Sequence, residues 1–60
     1  MNVIVYYLDA LEVVKSFTYM SHYKRIDNTN IYSEILNKLY FKYGNEAKYY
    51  KILEWYRLDI

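Results

Sequence analysis

His22 is the only imidazole in the chain, and histidine is the side chain most often used for general acid–base work. A lone imidazole needs companions. The hydroxyls that could serve as its nucleophile are Ser16, Ser21 and Ser33, and none sits in a glycine-framed turn of the kind that presents a serine for acyl transfer. The carboxylates are Asp9, Glu12, Asp27, Glu34, Glu46, Glu54 and Asp59. Their spacing matches neither the alternating aspartates of a calcium loop nor the His–Glu pairing of a metalloenzyme helix. Zinc sites are usually assembled from several His or Cys ligands, and this chain has no cysteine. A phosphate-cradling loop needs several glycines, whereas Gly44 stands alone. These residues therefore predict a non-enzymatic protein with no metal and no cofactor. Its carboxylates solvate faces or cap helices, and His22 lies partly exposed on the surface.

The cations carry the next chemistry. Eight basic residues against seven acidic ones leave a net charge of +1, without the basic excess typical of nucleic-acid binders. Local clusters remain: His22-Tyr23-Lys24-Arg25, then Lys38 and Lys42, then Lys48, Lys51 and Arg57. Basic residues interleaved with aromatics can follow a phosphate backbone while rings stack on bases. Residues 36–55 could form a helix-turn-helix around Gly44, though Tyr40 and Asn45 occupy positions where such motifs want a small and an apolar residue. A small dimeric DNA-binding regulator using Lys38, Lys42, Lys48 and Lys51 is thus the alternative reading.

The strongest signal is aromatic. Ten tyrosines, two phenylalanines and one tryptophan make up 22% of the 60 residues. Codons rich in A and T account for much of this, since Asn, Ile and Lys are also abundant and Gly, Ala, Arg and Pro are scarce. That bias and the short length suggest a phage or other mobile element. Tyr and Trp are also the residues that dominate protein–protein hot spots.

Three elements would position these groups. A domain this small recovers little more from its core than ordering costs, and without cysteine no disulfide can staple it. A partner chain or an unusually aromatic core is left. The run Val3-Ile4-Val5-Tyr6-Tyr7-Leu8 is strongly strand-prone and far too short to cross a bilayer. Beyond it, Ser16 and Thr18 alternate with Phe17 and Tyr19, with Lys15 as the misfit, which predicts a second strand after a turn over residues 9–11. Against this hairpin, Ala10, Val13, Val14 and Phe17 also follow helical spacing after a possible capping box, and the turn lacks the Asn-Gly or Asp-Gly of tight hairpins. Asp27-Asn28-Thr29-Asn30 and Tyr43-Gly44-Asn45 then punctuate the chain.

Tyr32, Ile35, Leu36, Leu39 and Tyr43 share one helical face, which predicts a helix over 31–43 with Asn30 as cap, Gly44 in the left-handed position after it, and Glu34 and Lys38 paired on the wet side. Tyr49, Ile52, Leu53, Tyr56 and Ile60 predict a second helix over 46–58 capped by Asn45. A strand over 50–58 is the competing reading. The expected fold is therefore a single α+β domain over residues 1–60, a hairpin followed by two helices, with an all-α three-helix bundle as the alternative. On those wheels Phe41, Tyr50, Trp55 and Leu58 point away from the core stripes. They are the expected protein interface of a self-associating, dimeric, small regulatory or inhibitory protein that binds another protein in the cytoplasm, the host's if it is viral. No export signal or membrane span is read.

Overall fold

A computed structural model describes the whole chain apart from Asp27, Ile60 and the side chain of Asn28. The expected places of Asp27 in a turn and of Ile60 on a helical face thus lie outside the described residues. Strands β1 (Asn2–Leu8), β2 (Val14–Met20) and β3 (Lys51–Arg57) form an antiparallel sheet in the order β2-β1-β3. The helix α1 (Asn28–Tyr43) runs into a 3-10 helix over Gly44–Tyr49 that returns the chain to β3. The architecture is α+β, with three strands and one α-helix.

The hairpin forms without a tight-turn dipeptide because its loop is of another kind. Glu12 N–H donates to the Asp9 carbonyl at 3.0 Å, Asp9 N–H donates to the Val13 carbonyl at 3.0 Å, and Glu12 sits at φ 62°. This is a type I turn followed by a left-handed residue, the usual three-residue hairpin connection. Asp9 fastens it from within. Its Oδ1 accepts the N–H groups of Leu11 and Val13 at 2.9 Å each, and its Oδ2 lies 3.0 Å from Lys15 Nζ. Lys15, which breaks the alternation of β2, is thereby placed by charge rather than by burial.

Period-2 alternation along β1 sends Val3, Val5 and Tyr7 to one face, where each is buried. Ile31, Ile35 and Leu39, four residues apart on α1, cover them, and Ala47 closes the end of this core. Phe17 and Tyr19 on β2 and Ile52 and Trp55 on β3 extend the packing sideways.

Several expectations are corrected. The helix begins at Asn28 rather than residue 31, so Asn30 lies inside it and is not its cap. The buried stripe is rotated: Ile31 takes the position assigned to Tyr32, which is exposed and places its ring 6.1 Å from that of Trp55. Gly44 does adopt the left-handed conformation after the helix, at φ 66°.

The largest correction concerns the C-terminal segment. No second α-helix spans 46–58, and the competing strand is what forms; this also removes the three-helix bundle and the helix-turn-helix. The reason is a β-bulge. β3 pairs Glu54 with Tyr6 and Ile52 with Tyr7, leaving Leu53 as the extra residue. Ile52 and Trp55 therefore both face the core at a spacing of three, which imitates helical periodicity.

Candidate functional site

β1 is apolar on both faces, yet α1 covers only one. On the other face Ile4, Tyr6 and Leu8 of β1 are half-buried by their neighbours alone. They are flanked by Val14 and Met20 of β2, 61% and 63% exposed, and by Tyr56 of β3, with Leu58 just beyond the strand. The Tyr6 and Tyr56 rings meet edge to face at 6.3 Å. Three strands at about 4.8 Å spacing and seven residues at about 3.3 Å rise give this face a footprint of roughly 330 Å². Its apolar residues share that area with Ser16, Thr18, Lys51 and Glu54, which pair with Ile4, Tyr6 and Leu8, and exposed apolar residues grouped in this way mark interaction sites on small proteins. Wheel reasoning applied only to helices missed most of this surface. The signal was the unbroken run from Val3 to Leu8, because strands buried on both sides read as continuous apolar stretches.

A second feature lies beside it. An open groove of about 480 Å³ runs between β2 and α1, lined by Phe17, Thr18 and Tyr19 on one side and by Lys38, Leu39, Phe41 and Lys42 on the other. Phe41, 93% exposed, is the ridge between this groove and a second one, of about 360 Å³, that it shares with His22, Glu34, Asn37 and Lys38.

The expected interface residues sit in different places. Phe41 stands free on α1, and Leu58 borders the uncovered sheet face. Tyr50 and Trp55 are half-buried on the helix side. The Tyr50 ring stacks on Tyr7 at 5.7 Å and lies 4.7 Å from Tyr43, and Trp55 packs on Tyr32. Tyr7 and Tyr43 share a 2.6 Å hydrogen bond between their hydroxyls. Burial pushes the Tyr7 hydroxyl well above the ordinary phenol range, whereas the Tyr43 hydroxyl is lowered by its bond to Tyr7 and by Lys42. The pair is a fixed polar link between strand and helix.

The lysines are dispersed too. Lys38 and Lys42 line one groove, with their ammonium groups 5.8 Å from the Tyr19 ring and 5.3 Å from the Tyr43 ring. Lys48 lies 5.1 Å from the Tyr49 ring, and Lys51 pairs with Leu8 on the uncovered face. His22 is exposed, and no cluster of three or more metal-ligating side chains occurs among the described residues. No described helix is long and apolar enough to cross a membrane.

No family model, no curated protein and no solved structure matches this chain.

Two carboxylates hold the frame of these surfaces. Asp9 is held below its usual range by the Val13 N–H, against the opposing effect of burial and with help from Lys15 and the Leu11 N–H. Burial pushes Glu34 up, but hydrogen bonds from Ser21, Tyr19 and the His22 N–H outweigh it and leave it lowered. The Tyr19 hydroxyl donates to Glu34 Oε1 at 2.7 Å, and the His22 N–H to Oε2 at 3.3 Å, so Glu34 ties β2 and the following loop to α1. Both groups bind protons more readily unfolded than folded. Their stabilisation is complete above the unfolded carboxylate values of about 4 and is lost as pH falls through the lower folded values. Thermal midpoints followed by circular dichroism should hold level from neutrality to about pH 5 and drop below about pH 4. Asp9→Asn and Glu34→Gln should each flatten that drop; a wild-type midpoint unchanged down to about pH 3 would contradict the assignment.

Proposed function

We propose that this protein performs no chemistry of its own and acts as a small regulatory or inhibitory protein by burying its uncovered sheet face against another protein. The observation that carries the reading is the central strand, apolar on both sides and covered on one. The partner surface that fits is largely apolar and uncharged, because Ile4, Tyr6, Leu8, Val14, Met20, Tyr56 and Leu58 offer area and rings rather than charge. Ser16, Thr18, Lys51 and Glu54, opposite Ile4, Tyr6 and Leu8 on the flanking strands, supply polar groups within the face that would orient the partner.

Site-specific photo-crosslinking tests this in cells expressing the protein. Benzoylphenylalanine at Tyr56, on the uncovered face, is expected to capture a discrete partner that the same group at Tyr40, on exposed α1, does not. The captured protein, once purified, should bind the wild-type chain and lose at least tenfold in affinity for Tyr56→Lys, about 1.4 kcal/mol or more. Identical adducts from both positions, or equal affinity for the two chains, would reject the reading.

A further inference from the structure

We infer that β2 is a self-complementary edge, and that two copies of this chain join through it, antiparallel about a twofold axis at Phe17, into one six-stranded sheet. The inference rests on the protein-binding reading for its purpose but not for its geometry.

The phase of the ladder comes first. The Met1 amino group donates to the Ser21 carbonyl at 3.2 Å, and Ser21 N–H donates to the Met1 carbonyl at 2.7 Å. At the other end of the hairpin Asp9 N–H donates to the Val13 carbonyl. With the observed register, odd-numbered residues of β2 therefore direct their main-chain groups to β1, and Val14, Ser16, Thr18 and Met20 direct theirs outward. β2 is an edge of the sheet, with no described strand on that side.

The two edges differ in protection. β3 carries Lys51, Glu54, Arg57 and a bulge at Leu53, the devices that discourage further pairing. β2 has no bulge and no proline, and its one charge, Lys15, is tied to Asp9. It is a regular, strand-prone and accessible edge beside an unfilled groove.

The occupant follows from the side chains. Outward groups can pair only with outward groups, so an antiparallel copy must set even residues opposite even residues. A twofold at Phe17 sets Ser16 opposite Thr18 and Val14 opposite Met20, and satisfies the main-chain groups of all these residues. On the uncovered face it matches polar with polar and apolar with apolar. On the helix side Phe17 meets its own copy, and Lys15 comes opposite the Tyr19 ring.

Charge agrees as well. Glu34 binds near the Tyr19 end of β2, whereas Tyr43 contacts Tyr7, whose strand partner is Lys15. α1 therefore runs along β2 in the opposite sense, and the twofold brings the Glu34 end of one helix towards the Lys42 end of the other. The two grooves, each with an exposed Phe41, close on each other. The joined sheet also doubles the footprint of the uncovered face to roughly 660 Å².

The chain has no cysteine, so introduced thiols report the register directly. Residues opposite in a hydrogen-bonded antiparallel pair have Cα atoms about 5.5 Å apart, within the range a disulfide spans. A mixture of Ser16→Cys and Thr18→Cys chains should yield a disulfide-linked dimer under mild oxidation, and neither variant alone should do so. Light scattering should give a dimer for the wild-type chain and a monomer for Thr18→Pro, whose missing N–H points away from β1. Should Thr18→Pro fail to fold, the cysteine mixture still decides. A wild-type monomer, a dimer that survives Thr18→Pro, or cross-linking of either cysteine variant alone would overturn the inference. A dimer lost in Tyr56→Lys but kept in Thr18→Pro would mean that the uncovered faces pair instead. Failure here leaves the photo-crosslinking at Tyr56 intact, so the two readings fail separately.

Discussion

Tyr7→Ala is expected to leave the chain unfolded at room temperature. Tyr7 is the largest fully buried side chain, 1% exposed at the end of the central strand. It is edge-on to Phe17 at 5.8 Å, stacked on Tyr50 at 5.7 Å, and hydrogen-bonded to Tyr43. One ring thus holds together β1, β2, α1 and the approach to β3. Truncating a buried aromatic costs about 3–5 kcal/mol. A chain of this length has roughly 3–9 kcal/mol in total. Circular dichroism should show loss of the cooperative melt. Tyr7→Phe isolates the hydroxyl: it keeps the ring contacts and removes one hydrogen bond, for about 1 kcal/mol, because half-exposed Tyr43 can turn to water. An alanine variant that melts within a few degrees of wild type would show that this ring is not the keystone described.

Ile35→Ala is the second large effect, expected at about 2–5 kcal/mol. Ile35 is the middle of the Ile31–Ile35–Leu39 stripe, and α1 is the only described α-helix over the sheet. Its loss leaves a cavity over Val3 and Val5 that no second layer can collapse to fill. Phe41→Ala on the same helix provides the contrast. That ring is 93% exposed in the single chain, so at dilutions where the chain is monomeric its removal should change stability by no more than about 0.5 kcal/mol. Urea midpoints compare the two directly; equal losses would mean that Phe41 is buried in solution, as closure of the β2 grooves between two copies requires at concentrations where the dimer forms.

These two residues also mark what could be read in advance. The helix over Ile35 and Leu39 was legible because a 3.6-residue apolar period and a following glycine agree with each other. Its phase was less so. Tyr32 and Ile31 are adjacent, and only the sheet beneath decides which of them faces inward. The hairpin was legible from its strand-prone run, and the Lys15 anomaly became intelligible once Asp9 was seen to curl back over its own loop.

The sequence by itself determined the central helix and the turn at Gly44 and favoured an N-terminal hairpin, hence an α+β class, over a third helix, since each depends on contacts between near neighbours along the chain. It also determined that the rings outnumber what a core of this size can bury. Only the tertiary structure decided that residues 51–57 form a strand. Their side-chain spacing is shifted by the bulge at Leu53, and their main-chain partners lie some fifty residues away in β1. The same long-range pairing made β1 central, left one of its two apolar faces uncovered, and turned β2 into a free edge. Strand partners are chosen by closing long loops, and no local period in the chain records that choice.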